Sequence, residues 1–282
     1  MTCRLCESTE NKLLFLVREY KIVRCANCGF VQVLDQPKQE QLDRLYEESY
    51  FNSNKYRDII TLNKELLRRL KLIRQYIPST GARVLEAGCG TGEFISFAKN
   101  NYNMFGFDIS EAAIKIAQER NSQLSTQLWA QKDEEYNLPP AFYDAICAWD
   151  VIEHLRNPVT TFQQLMKSLK PGGYLFISTP NIDAFIAQIL GPYWAFMTPP
   201  EHLCFFNKKT MSFFAEKHLH ATLKGWHTRG KTVNIGFLLY KLKRILPIVP
   251  LWLLKLFQTP LLSRLAIYVP TGDIQYAVIQ KN

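Results

Sequence analysis

Residues 84–94 read VLEAGCGTGEF, an apolar run that ends in three glycines at alternate positions, Gly88, Gly90 and Gly92. A buried strand that enters a glycine turn and then a helix is the opening unit of an open α/β sheet, whose ligands lie at the carboxyl ends of the strands. The chain keeps this rhythm. ARVLEAG predicts a first strand, residues 92–100 a helix, MFGFD a second strand, and EAAIKIAQER a helix capped by Ser110. TQLWA, YDAICAW and GGYLFISTP predict three more strands, with a helix over VTTFQQLMKSL before the last. Such alternation implies a doubly wound parallel sheet.

The same turn selects a ligand. A dinucleotide fingerprint is G-x-G-x-x-G, whereas this turn is G-x-G-x-G with Glu86 just upstream. A carboxylate there repels a pyrophosphate and attracts a cation. Asp108 closes the second strand 20 residues after Gly88, where an acidic side chain in this kind of sheet accepts hydrogen bonds from a ribose diol. A ligand with a ribose, a positive end and no phosphate is required, and S-adenosylmethionine (SAM) meets all three demands.

Seven cysteines divide into four and three. Cys3, Cys6, Cys25 and Cys28 are spaced C-x2-C, an 18-residue gap, then C-x2-C, the spacing of a zinc ribbon, with Gly29 available for the tight turn. Four thiolates leave no open coordination position, so the expected Zn²⁺ is structural. Cys89, Cys147 and Cys204 are dispersed and read as small packed residues. The expected organisation is a ribbon over 1–34, a linker and helical bridge over 35–78, a core over 79–232, an apolar and basic insertion over 233–270, and a last strand over 271–282. Within the bridge, Leu62, Leu66, Leu70, Ile73 and Ile77 form one helical stripe that stops before Pro78.

Charge is unevenly placed. The net charge is +9, yet residues 203–282 hold twelve Lys or Arg against Glu216 and Asp273 alone. Residues 235–269, IGFLLYKLKRILPIVPLWLLKLFQTPLLSRLAIYV, interleave these cations with Leu, Trp and Phe, and Pro247, Pro250 and Pro260 interrupt them. Their longest charge-free run after Arg244 is the ten residues Ile245–Leu254, short of the roughly 20 that a span needs. The pattern predicts contact with an anionic membrane surface, or else a flap or dimer partner. MTCRLCESTENK lacks the apolar stretch of a leader, so a cytoplasmic location is expected, peripheral at the inner face of a membrane if the insertion binds one.

Taken in order, VLEAGCGTGEF, GFDIS, YDAICAWDVIEHL, LKPGGYLFISTPN and PPEHLCFFNKKTM resemble the class I SAM-dependent methyltransferases over residues 80–230. The resemblance implies a seven-stranded Rossmann-like sheet whose last strand, DIQYAVIQK, runs antiparallel. It also implies a cofactor set of Glu86, Gly88, Cys89, Gly90, Thr91, Gly92, Asp108, Ile109 and Trp149. Asp133 is the nearest match to the acidic residue the family places near the adenine. The cysteine ribbon and the series WDVIEHL, STPN and PEHL are most similar to the small-molecule branch that includes sugar methyltransferases of polysaccharide and antibiotic pathways.

Two clusters carry candidate chemistry. Asp150, Glu153 and His154 stand at i, i+3 and i+4, one face of a helical turn, and suit a base with an orienting carboxylate, a divalent metal site, or simple helix packing. Ubiquinone O-methyltransferases, to which this segment is similar, carry Glu, Glu and His there, which implies metal-assisted binding of a catechol. Glu201 and His202 lie in an aromatic loop, GPYWAFMTPPEHLCFF, where Tyr193 and Trp194 are candidates to stack on a substrate ring. In sugar C-methyltransferases that the loop resembles, the last His of a Tyr-His-Glu-His run is the base and matches His202. Pro199 and Pro200 replace the first two positions, which favours O-methylation. The expected reaction is O-methylation of a small-molecule acceptor, a sugar or a lipid-linked precursor. RNA methylation is the alternative suggested by the ribbon and the basic C-terminal region, but the segment after strand four lacks the proline and aromatic pattern of base methylators. A non-catalytic SAM-binding scaffold is disfavoured by Glu86, Asp108 and His202.

Overall fold

A computed structural model describes residues 2–37, 41, 59–131, 136–234 and 266–282. Asp133, part of the bridge and residues 235–265 of the insertion lie outside the described residues. The seven-stranded sheet is built from β4 (Arg83–Ala87), β5 (Asn103–Asp108), β6 (Leu128–Ala130), β7 (Tyr143–Trp149), β8 (Leu169–Pro180), β10 (Ala221–Asn234) and β11 (Ala266–Lys281), in the order β10-β11-β8-β7-β4-β5-β6. β8, β7, β4, β5 and β6 are parallel. β11 runs antiparallel to both β8 and β10. The last strand therefore has the predicted direction but begins at Ala266, inside the stretch read from sequence as insertion.

Chain order reverses between β4 and β7, which makes the carboxyl ends of these two strands the switch point of the sheet. Both strands have apolar centres, as strands covered on two faces must: Val84, Leu85, Ala145, Ile146, Cys147 and Ala148 are fully buried, and Glu86 is the charged exception within β4. α1 (Ile59–Tyr76) lies on one face through its stripe, with Leu66, Leu70 and Ile73 buried among Val84, Met104 and Phe176. α2 (Glu93–Ala98) and α3 (Glu111–Arg120) share that face, and Ser110 caps α3 by accepting from the Ala113 N–H. The opposite face takes α4 (Pro158–Ser168) and the ribbon: Cys3, Leu5, Cys25, Cys28 and Phe30 share a core with Ile146, Phe162 and Ile177.

The ribbon is woven into the sheet domain. Its antiparallel strands β1 (Asn11–Val17), β2 (Tyr20–Cys25) and β3 (Val31–Val33) gain a fourth member, β9 (Cys204–Phe205), from the loop after β8. Val31 pairs with Phe205 and Gln32 with Cys204. Between β8 and β9 the chain forms α5 (Phe185–Leu190), and after β9 it forms α6 (Lys208–Phe213), started by an Asn207–Thr210 capping box. No described helix is long and apolar enough to cross a membrane.

Candidate active site

The glycine turn sits at the carboxyl end of β4. Gly88, Gly90 and Gly92 have φ of 73°, 53° and 73°, the left-handed region that side chains disfavour. Two of the three are also fixed by packing. A Cβ on Gly88 would lie 2.6 Å from Val151 Cγ2, and one on Gly92 2.8 Å from Asn121 Nδ2. The turn is thereby held against the segment that follows β7. Gly90 donates its N–H to Asp108 Oδ2 (2.8 Å), and Asp108 Oδ1 accepts from the Ser110 N–H (3.0 Å). Each carboxylate oxygen has two lone pairs, so Asp108 orders the turn and keeps capacity for a ligand diol.

Glu86 is 4% exposed and its Oε2 has no hydrogen-bond partner. Burial, reinforced by the charges of Glu93 and Asp108 and opposed by Arg69, lifts its carboxyl well above the usual range. Trp149, at the end of β7, is buried against Phe94 with an equally unpartnered Nε1. Two unsatisfied buried polar groups at the switch point, beside a glycine cradle, fit a ligand that brings a cation and hydrogen-bonding groups. Ile109 is 38% exposed at the edge of β5, open to a flat apolar ring. The side chains of Cys89 and Thr91 are engaged within the protein. The Cys89 side chain is buried beside Gly106, and the Thr91 hydroxyl donates to Glu93 Oε1 (2.6 Å).

Arg69, on α1, carries no motif and is not identifiable from sequence. Its guanidinium lies over the Trp149 ring, 5.3 Å from the centroid, and pairs with Asp150 Oδ2 at 2.6 Å. Asp150 adopts φ of 57° and accepts from the Ser178 hydroxyl (2.8 Å). That left-handed residue breaks the helical turn expected over 150–154, and only Ile152–His154 form a short 3-10 turn. Asp150 is paired with Arg69 and stays outside the close set of ligand atoms around Glu153 and His154, although its charge still acts on both.

The structure instead brings Glu153 and His154 to His202, with ligand atoms of all three within 4.8 Å of one another. The imidazoles stand edge to face, centroids 4.8 Å apart. His154 Nδ1 meets the Glu201 carbonyl at 2.9 Å and His202 Nδ1 meets the Phe196 carbonyl at 2.7 Å. A carbonyl cannot donate, so both Nδ1 atoms carry hydrogen, and Nε2 is the ring nitrogen of each that can act as an acceptor. Burial holds His154 below the usual histidine range. Glu153 is 1% exposed, accepts from the Thr179 hydroxyl (2.9 Å), and is raised well above the carboxylate range by burial and by Asp150.

Two expectations about the loop change, those for Glu201 and Trp194, while Tyr193 keeps an accessible ring. Glu201 acts through its main-chain carbonyl, while its side chain is exposed. Trp194 is a core anchor, 2% exposed, donating to Asp273 from Nε1, so its faces are unavailable for stacking. Tyr193 is 87% exposed.

In the ribbon, Cys3 and Cys28 sulfurs are 3.6 Å apart, Cys6 and Cys25 sulfurs 3.5 Å, and all four lie within 4.8 Å of one another. Tetrahedral Zn–S bonds of about 2.3 Å place sulfurs roughly 3.8 Å apart, so the cluster fits that ion.

A sequence model of a family described as a methyltransferase domain matches residues 54–217. A ubiquinone biosynthesis O-methyltransferase from Xylella fastidiosa is 33% identical over 130 residues, covering 44% of this chain and 52% of that protein. The chain thus matches about half the length of that relative. A SAM-dependent methyltransferase from Archaeoglobus fulgidus superposes with a TM-score of 0.51 at 20% identity, covering 79% of this chain and 100% of that one. The [4+2]-cyclase SpnF superposes with a TM-score of 0.56 at 15% identity, covering 87% and 97%. At such identities these structures speak to the fold alone.

Proposed function

Because the chain belongs to the methyltransferase-domain family, we propose that it transfers a methyl group from SAM to a hydroxyl of a small-molecule acceptor, with His202 as the base. The observation that carries this reading is the imidazole pair fixed by the Glu201 and Phe196 carbonyls, one strand end away from the unsatisfied Glu86. SAM, when bound, supplies an electrophilic sulfonium methyl. Glu86 would hold its ammonium, Asp108 its ribose diol and Arg69 its carboxylate, with Ile109 against the adenine. His202 Nε2 takes the proton of the acceptor hydroxyl as the oxygen becomes nucleophilic. His154, kept neutral by burial, does not repel the imidazolium that forms beside it.

A sugar or lipid-linked precursor is the acceptor class we favour, on the likeness of the ribbon and of the PEHL loop to the sugar branch. Peripheral membrane contact through residues 235–269 would bring a lipid-linked acceptor to the site. The cysteine cluster is assigned to a structural zinc. A catechol is the second reading, supported by the name of the Xylella relative and by Glu153, His154 and His202, a set able to hold a divalent cation. Incubation with methyl-labelled SAM and fractionated cell extract separates these. Label in glycan or lipid supports the first, cation-dependent label in an added catechol supports the second, and label confined to RNA contradicts both.

A further inference from the structure

The sequence treats the residues between the cysteines of each ribbon knuckle as spacers, and the methyl-transfer chemistry above makes no use of them. Arg4, between Cys3 and Cys6, is the exception in space. Its Nη2 donates to the carbonyls of Leu203 (2.7 Å) and Val33 (2.9 Å), and its Nη1 to the carbonyl of Arg156 (3.3 Å). Its Nε and its backbone N–H both donate to Gln32 Oε1, at 3.2 and 3.0 Å. Among the described residues these hydrogen bonds reach only neutral oxygens, and no carboxylate compensates the partly buried charge. A cation held this way costs desolvation that a neutral side chain would avoid.

The partners explain its place. Leu203 follows His202, and Arg156 lies two residues after His154. The two loops also touch directly, through the Leu203 N–H on the Glu153 carbonyl (2.7 Å) and the Cys204 thiol on the Ile152 carbonyl (3.2 Å). The Val33 N–H shares the Leu203 carbonyl with Arg4 (2.9 Å). One planar fork therefore spans the ribbon strand β3, the loop that ends at His202 and the loop that begins with His154. We propose that Arg4 is a positioning residue for methyl transfer, fixing the spacing of His154 and His202, and that the ribbon serves as the template for this pair. The proposal rests on the reading of His202 as the base. Lysine offers a single point charge and cannot reproduce a fork across separate carbonyls.

The test uses the full chain carrying Arg4→Lys and Arg4→Met. Long-range nitrogen–proton NMR of the histidine rings reports their tautomers without any acceptor, and turnover is followed with whichever fraction accepts label. We expect wild-type SAM affinity and acceptor KM in both variants, with kcat lowered about ten- to hundredfold, as for a displaced catalytic group. The Nδ1–H tautomers of His154 and His202 should become mixed. Wild-type kcat with unaltered tautomers in Arg4→Met, whatever its melting temperature, overturns the proposal. If Arg4→Met does not fold, the milder Arg4→Lys decides by the same two readouts. His202→Ala separates the two claims: normal turnover there, with altered tautomers in the Arg4 variants, removes the base assignment and leaves the positioning contact standing.

Discussion

Glu86 gathers most of the electrostatic tension at the site. Its carboxyl is raised by burial first, then by Glu93 and Asp108, with Arg69 acting against them. A cationic ligand favours the ionised form, so binding lowers this pKa and releases a proton. SAM affinity should then rise as pH increases toward the free-protein value and level off above it, by up to about tenfold per pH unit on the rising limb. Calorimetry in two buffers of different ionisation enthalpy measures that proton directly. Glu86→Gln should bind SAM roughly ten- to hundredfold more weakly and without the pH slope, the scale of a lost hydrogen bond to a charge. A slope that survives the substitution would place the titration elsewhere. Glu86 and Asp108 were legible in the sequence because each stands at or next to the carboxyl end of a strand whose apolar pattern is local. Arg69 was not, because a cation beside an apolar stripe gives no sign of facing Trp149. Asp150 misled because spacing at i, i+3 and i+4 presumes helical backbone, and its φ of 57° removes that premise.

Among the elements, the glycine turn and the ribbon make separable predictions. A β-branched residue at Gly90 must adopt φ near 53°, which costs on the order of 1–3 kcal/mol and shifts the N–H that Asp108 holds. Gly90→Val should abolish SAM binding, and unchanged calorimetric affinity would refute the placement of the cofactor in this turn. For the ribbon, elemental analysis should find one zinc per chain, with metal lost in Cys25→Ser. Because β3 pairs with β9 next to His202, chelation should remove turnover while SAM binding persists. Full metal content in Cys25→Ser, or turnover indifferent to chelation, would contradict this. The knuckles were readable from spacing alone. The β3–β9 pairing was not, since a two-residue strand inside a long loop leaves no periodicity to detect. Trp194 shows the same limit: an aromatic in a loop does not announce whether it faces a substrate or, as here, Asp273.

At the scale of the molecule, a mostly parallel sheet with its switch point between β4 and β7 gathers the residues proposed for the cofactor and the Glu153, His154 and His202 group at the carboxyl ends of its strands. The doubly wound parallel class followed from alternating apolar segments, because each βα unit is encoded locally, whereas the antiparallel last strand followed from the family resemblance. What joins the ribbon, the β7 loop and the β9 loop is encoded by contacts between residues as distant as Arg4 and Leu203, which no single-sequence pattern records. The division of labour at the switch point is the central claim, and one paired measurement addresses it: SAM affinity by calorimetry and methyl turnover for His202→Ala beside the unaltered protein. Affinity should stay within about twofold of the parent and turnover should fall by roughly two to four orders of magnitude, the range for loss of a general base. Near-normal turnover, or loss of SAM binding together with turnover, would contradict it.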